Sequence, residues 1–217
     1  MARIILDMGS GNTNKNNWDY TKQMLDELKA VDTGKHEIII KWQLFKEVGD
    51  NIPLDKTIFD LAYVYAEQLG YQTTSSVFDK ESLDFLLQFD VPFIKIANNR
   101  ALDYLIGEIP RKIPVYISYG KRKDILQNEY HDASIIKMLC VSSYPANLED
   151  YETAFGIQSG AWVMLDPSTG ISDHTTNFGL WYRYQPEIIE MHYGLSDSTG
   201  LDAGPFMRTP AMLSEVL

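Results

Sequence analysis

Short runs of apolar, often β-branched residues alternate along this chain with segments whose apolar residues recur at helical spacing. That beat restricts the chain to a parallel α/β arrangement. Ile4-Ile5-Leu6 reads as a first buried strand ending at Asp7. The loop Met8-Gly9-Ser10-Gly11-Asn12 then leads to a helix from Trp18 to Leu28 in which Trp18, Met24, Leu25 and Leu28 are the apolar positions. Glu37-Ile38-Ile39-Ile40-Lys41 is a second strand, marked by its β-branched triplet. A helix over 58–69 ends at Gly70, a strand covers 71–76, and Asp79 caps a helix running to about Phe89. Strand 93–97, a short helix 100–107, strands 113–118 and 135–141, and closing strands near 169–172 and 187–191 complete the series. Eight strands in this alternation predict a closed (β/α)8 TIM barrel, an α/β fold. With 217 residues it is a somewhat truncated one, since about 250 are usual and about 200 are tolerated. The segment 120–131 is charged and short for a crossover helix. Residues 156–168 are irregular, with an apolar run from Ala161 to Leu165 that reads either as an extra strand or as a loop wall. No linker, repeat or composition shift divides the chain, so residues 1–217 are expected to form one domain.

In such a barrel the βα loops converge at the C-terminal ends of the strands, and chemistry collects there. Asp7, Lys41, Gln43, Ser76, Lys95, Ser118, Ser142, Tyr144, His174, Glu190 and His192 all fall at or just beyond such ends. A lysine ending an apolar strand is unusual because burying an unpaired ammonium is costly. Taken singly, Lys41 or Lys95 reads as a side chain snorkelling to the mouth or paired with Asp or Glu. Together with the hydroxyls of Ser118 and Ser142 they form a donor set for a phosphate and a carboxylate on one small molecule. Phosphoenolpyruvate carries both groups. His174 and His192 each follow an apolar run, and neighbouring parallel strands lie about 5 Å apart, close enough for two imidazoles to share an ion. Asp173 or Glu190 would complete the ligand shell or orient a ring from behind. The alternative is a pair of satisfied structural histidines.

The motifs carry a resemblance. Ile171-Ser172-Asp173-His174-Thr175 followed by Ile189-Glu190-Met191-His192-Tyr193 resembles the sialic acid synthase (NeuB) family, which makes N-acetylneuraminate, legionaminate and pseudaminate and has GLSDHT then IEKHF. Upstream, Lys41-Trp42-Gln43 resembles KFQ, Ser76-Val77-Phe78-Asp79 resembles TPFD, and Phe93 to Ala97 resembles YKIAS. Ile117 to Gly120 stands where the family has LSTG, and Cys140 to Pro145 where it has HCVSSYP. The resemblance covers roughly residues 36–193. It implies condensation of phosphoenolpyruvate with the open-chain aldehyde of an N-acylmannosamine-type sugar, giving a nonulosonic acid and phosphate in a metal-dependent transferase reaction. By the same resemblance His174 and His192 hold a divalent metal, Mn²⁺ or Mg²⁺. Lys41, Lys95, Ser118 and Ser142 bind phosphoenolpyruvate, with Ser76 a weaker contact. Gln43 and Tyr144 face the sugar, and Glu190 is the acid or base near the reacting carbons.

The chain departs from the family at several points. Asp7 stands where a glutamate is usual, Asn98 replaces a serine but can still donate, and Met191 replaces a lysine. The family's Gly-Pro-Asp-His is reduced to Ala203-Gly204-Pro205-Phe206, an expected loss of polar groups on the sugar side. Nothing in these residues corresponds to the family's antifreeze-protein-like C-terminal domain, whose arginine enters the partner subunit's sugar site; a homodimer is compatible with the resemblance. A catalytically weak or inactive barrel that binds phosphoenolpyruvate or a sugar, as a sensor or partner subunit, is the alternative. Asp7 to Lys15 also resembles the first phosphate loop of actin-like ATPases, but that fold needs a second such loop and a second domain.

A net charge of −11 argues against nucleic-acid and anionic-membrane partners. The single cysteine, Cys140, cannot form an internal disulfide and reads as an inert core residue rather than a nucleophile. Without a signal-like or membrane-spanning stretch, a cytoplasmic location is the default expectation.

Overall fold

The computed structural model describes residues 1–121, 124, 134–156 and 169–217. The charged segment 120–131 and the irregular segment 156–168 therefore lie almost wholly outside the described residues. Eight strands, β1 (Arg3–Asp7), β2 (Glu37–Leu44), β3 (Gln72–Val77), β4 (Ile94–Ile96), β5 (Val115–Tyr119), β6 (Ile135–Cys140), β7 (Gly170–Asp173) and β8 (Ile188–His192), pair in parallel in chain order. β8 closes on β1, with Asp7 opposite His192. The expected barrel is present, and the actin-like reading is overturned: the glycine-rich stretch after Asp7 is a βα loop at the barrel mouth.

Around the barrel lie helices α1 (Trp18–Val31), α2 (Lys56–Gln68), α3 (Lys80–Leu86), α4 (Leu148–Phe155), α5 (Gly179–Tyr184) and α6 (Pro210–Leu213). Side-chain caps set their starts. Asn17 accepts from the Tyr20 amide, Asp55 from Thr57 and Ile58, and Asp79 from Ser82, each relieving amides that the first helical turn cannot pair. Two helices differ from expectation. The Asp79-capped helix stops at Leu86, and Phe89 instead packs its ring against Phe59, Tyr63 and Phe85. The segment Arg100–Glu108 is a 3₁₀ helix, which suits its buried Leu102 and Leu105, three residues apart. Among the described residues no helix is long and apolar enough to cross a membrane.

Alternation along the strands divides the interior into layers. Ile4, Leu6, Ile38, Ile40, Trp42, Ile94, Ile96, Ile117, Leu139, Ile171 and Ile189 belong to the main core between barrel and helices. Ile5, Ile39, Phe93, Tyr116 and Met138, with Ile136 and Ile188 against them, form a separate apolar plug inside the barrel. Phe93 and Tyr116 stack there with ring centroids 3.9 Å apart. Below the plug Arg3 pairs with Glu37 at 2.9 Å and donates to the Tyr116 hydroxyl, closing the N-terminal end. Two residues further along the strands, on the same inward face, stand Asp7, Lys41, Lys95, Ser118, Cys140 and Glu190. One pleat above a hydrocarbon plug, the barrel interior thus becomes polar and charged.

Candidate active site

That polar layer is the floor of a cavity of about 370 Å³ opening at the C-terminal mouth. Of the site residues anticipated from the sequence, Asp7, Lys41, Gln43, Ser76, Lys95, Asn98, Ser118, Ser142, Tyr144, His174, Glu190 and His192 line it, and Asp173 does not. The size is in the usual range for a small-molecule site.

The floor is an ion-pair network. Lys41 is 1% exposed and donates to Asp7 Oδ2 at 2.6 Å and to Ser76 Oγ at 3.0 Å, with Glu190 Oε1 3.8 Å away. Lys95, 3% exposed, donates to Ser118 Oγ at 2.7 Å and lies 3.5 Å from Glu190 Oε2. Neither lysine snorkels to water; Lys41 and Lys95 flank one carboxylate. Glu190 accepts from Ser172 Oγ at 3.2 Å through Oε1, while Oε2 has no hydrogen-bond partner. Burial works to raise the pKa of Glu190, but the charges of Lys41 and Lys95 outweigh it and hold the carboxyl below its ordinary range. Burial likewise opposes ionisation of Asp7, yet Lys41, His192 and the Gly9 amide bring it down to about 2. Gly9, at φ +71°, lets the chain turn so that its own amide returns to Asp7 Oδ1 at 3.0 Å. Lys41 is held above its ordinary value: burial lowers it, but Asp7 and Glu190 more than compensate.

The two imidazoles face each other over this floor with ring centroids 5.3 Å apart. Nδ1 of His174 lies 2.7 Å from the Val141 carbonyl, an acceptor only, so Nδ1 carries the proton and Nε2 the lone pair. Its backbone amide donates to the Tyr151 hydroxyl at 3.0 Å. Burial, aided by His192, lowers the pKa of His174 to about 3. His174 is therefore neutral well below the ordinary histidine range. Tyr144, half exposed at the mouth, stacks on His174 at 4.2 Å. Asn98 donates to Ser142 Oγ at 2.9 Å and accepts from the Gly120 amide, bridging the loops after β4, β5 and β6.

Two expectations about carboxylates are corrected. Asp173 does not accompany the imidazoles; it pairs with Arg208 at 3.1 Å, where neither side chain is exposed. The stretch after β8 still brings a polar group to the cavity, because Asp202, one residue before Ala203, lines it. Gln43 Nε2 donates to Asp202 Oδ1 at 2.9 Å and to Asp7 Oδ2 at 2.9 Å, and His192 Nδ1 lies 3.4 Å from Asp202 Oδ1. Phe206 packs its ring 4.9 Å from that of His192. Asp202 was missed because residues 194–204 have no periodicity to read. Their position comes from distant contacts: Asp197 accepts from Lys15 and Tyr20, and Thr199 donates to the Asn12 carbonyl. Asn51, Phe78, Ser172 and Leu201 also line the cavity. Cys140 does too, but burial pushes its thiol up, which keeps it protonated and suits the expected inert role.

A divalent ion fits the mouth. Asp7, His192 and Asp202 each offer a donor atom within 4.8 Å of one another, and Nδ1 of His192 is buried with no hydrogen-bond partner; His174, the other expected ligand, stands outside this cluster, its Nε2 3.4 Å from Ser172 Oγ. The donors are nitrogen and oxygen, which suits a borderline ion such as Mn²⁺.

Fold and site together define a (β/α)8 barrel with a small-molecule cavity at its C-terminal mouth, two lysines in its floor and paired imidazoles above. The model of the NeuB family matches residues 40–203, and the chain belongs to that family. No curated protein matches by sequence. Among solved structures, the chain is similar to N-acetylneuraminic acid (sialic acid) synthetase from Leptospira borgpetersenii serovar Hardjo-bovis. That match has 22% identity and a TM-score of 0.75 over 98% of this chain and 80% of that one. It also resembles putative spore coat polysaccharide biosynthesis protein E from Chromobacterium violaceum, at 19% identity and a TM-score of 0.79 over 99% and 72% of the two chains. A truncated 3-deoxy-D-arabino-heptulosonate 7-phosphate synthase from Thermotoga maritima matches more distantly, at 10% identity and a TM-score of 0.64 over 99% and 83%. At these identities the structures speak for the fold, and the family model for the kinship.

Proposed function

We propose that the protein is a transferase that condenses phosphoenolpyruvate with the aldehyde of an N-acylmannosamine-type sugar, yielding a nonulosonic acid and inorganic phosphate. Membership of the NeuB family supports a sugar-acid synthase in general; the observation that carries the finer reading is the pair of buried lysines flanking Glu190. A phosphate and a carboxylate on one small molecule match two ammonium groups held on adjacent faces of one carboxylate, with Ser76, Ser118 and Ser142 as further donors. Among the described residues that line the cavity, Lys41 and Lys95 are the cations. The mouth, with Gln43, Asn51, Tyr144, Leu201 and Asp202, suits an uncharged acceptor better than a sugar phosphate.

In this reading C3 of the enol attacks the aldehyde carbon, whose oxygen takes up a proton to become a hydroxyl; water adds at C2, and the tetrahedral adduct breaks its C2–O bond to phosphate, leaving the 2-keto acid. Lys41, Lys95 and the serines hold the enol donor in the floor. As the ligand's anionic groups draw on the two ammonium groups, Glu190 loses its compensation and its pKa rises, so it becomes able to accept the proton of the attacking water. Gln43 and Asp202 orient the sugar hydroxyls, and Tyr144 covers the imidazoles. His174 and His192, with Asp7 and Asp202 alongside, would hold a divalent ion, which when bound polarises the aldehyde oxygen. The test is release of inorganic phosphate from phosphoenolpyruvate with a panel of N-acylmannosamines and their deoxy relatives, with Mn²⁺ or Mg²⁺ added. Turnover is expected; saturable binding of phosphoenolpyruvate without turnover across the panel would replace this reading with that of a binding protein.

A further inference from the structure

Arg208 belongs to none of the motifs above, yet its side chain is 0% exposed and its guanidinium is almost fully engaged. Nη1 donates to the carbonyls of Thr175 and Phe206, both at 2.7 Å, and Nη2 to the Asn177 carbonyl at 2.7 Å and to Asp173 Oδ2 at 3.1 Å. The guanidinium also lies over the Phe178 ring, 5.0 Å from its centroid. Most of these partners sit in residues 173–178, the loop that carries His174. The main chain of Arg208 is attached elsewhere. Its amide donates to the His192 carbonyl at 2.7 Å, its carbonyl accepts from Gly194, and it forms a bridge with Tyr193. One residue thus holds the Asp173 carboxylate before His174 and the Thr175 and Asn177 carbonyls after it with its side chain, and the backbone of His192 with its main chain.

Burying a guanidinium is costly, and a buried ion pair does not by itself add much stability over well-packed apolar residues. What it does supply is geometry. An arginine fork fixes several carbonyls in one plane, which a lysine's point charge cannot do. Two imidazoles that share an ion must be held within tenths of an ångström of the required distances. We propose that Arg208 is a positioning residue: it sets the spacing of His174 and His192, and through that spacing the affinity for a divalent cation, without touching the cation or the floor of the cavity. This rests on the reading that the imidazole pair holds the ion.

The test measures Mn²⁺ binding by titration calorimetry and by the paramagnetic resonance signal of free Mn²⁺. Phosphoenolpyruvate binding without metal and thermal melting are measured alongside on the same proteins. Arg208→Lys keeps the charge and loses the fork. The double variant Arg208→Met with Asp173→Asn removes the clamp without stranding a buried carboxylate. Both are expected to lose affinity for Mn²⁺ by about tenfold or more, the effect typical of groups that orient metal-ligating histidines, while phosphoenolpyruvate affinity changes by less than about threefold. A parent protein whose Mn²⁺ binding is absent, or is unaffected by His174→Ala and His192→Ala, would overturn the metal reading and this proposal with it. A parent that binds through the histidines, with Arg208 variants that bind equally well, would overturn the proposal alone. If neither variant folds, or if Mn²⁺ and phosphoenolpyruvate affinities fall together, Arg208 is a folding residue and the proposal fails.

Discussion

Replacing Lys95 with Met keeps the bulk of the side chain while removing one of the two ammonium groups beside Glu190. A charge-assisted hydrogen bond to a bound anion contributes about 1.5 to 3 kcal/mol, which corresponds to about a 10- to 150-fold loss of phosphoenolpyruvate affinity. Stability should change far less. At 3.5 Å and an effective dielectric constant near 20, Lys95 attracts Glu190 by about 5 kcal/mol before desolvation, and removing a buried ammonium from the fold returns several of those. Glu190 also keeps Lys41 at 3.8 Å and the Ser172 hydroxyl. A net cost within about 1.5 kcal/mol is a fall of about 3 to 6 °C in melting temperature for a chain of this size. Calorimetric titration with phosphoenolpyruvate and a thermal melt of both proteins measure the two effects. Unchanged affinity with a melting temperature lowered by more than about 10 °C would mean that Lys95 serves the fold, and the assignment of the floor would be wrong.

Replacing His174 or His192 with Ala should abolish metal-stimulated turnover and leave phosphoenolpyruvate binding within about threefold, because the lysine and serine donors belong to other strands; a chelator-treated parent that keeps full activity would refute this. Asp202→Asn should raise the KM for the sugar by about tenfold with little change in phosphoenolpyruvate affinity, since the contacts it alters are those to Gln43 and His192; an effect confined to phosphoenolpyruvate would put Asp202 on the wrong side of the cavity. The pH dependence of stability has a definite sign. With His174 at about 3 in the fold against about 6.5 in the unfolded chain, the unfolded state takes up the proton first. The contribution is complete above about pH 6.5 and is lost as pH falls toward 3. Melting curves of metal-free protein between pH 7 and 4 should show His174→Gln losing less stability on acidification than the parent, and parallel curves would refute the shift.

The strands, their order and the residues at their ends were legible in the sequence because both signals are local. A buried parallel strand reads as a β-branched run, and period-two alternation puts Lys41 on the face of Ile39, Lys95 on that of Phe93 and Glu190 on that of Ile188. Closure into a barrel follows from the number and alternation of those strands. The state of the groups was not legible, because it depends on which charges closure brings together. That Lys41 spends its shortest bond on Asp7, that Glu190 sits between two ammonium groups, and that burial takes His174 down to about 3 are consequences of β1, β2, β4, β7 and β8 meeting around one axis. Asp202 and Arg208 were beyond the reach of pattern altogether. Each lies in or just after the irregular stretch that follows β8, where no period marks a side chain as inward. Asp202 takes its place from the loop's contacts with Asn12, Lys15 and Tyr20, and Arg208 from the main chain of His192 and the carbonyls of the β7 loop, far away in sequence and adjacent only once the barrel has closed.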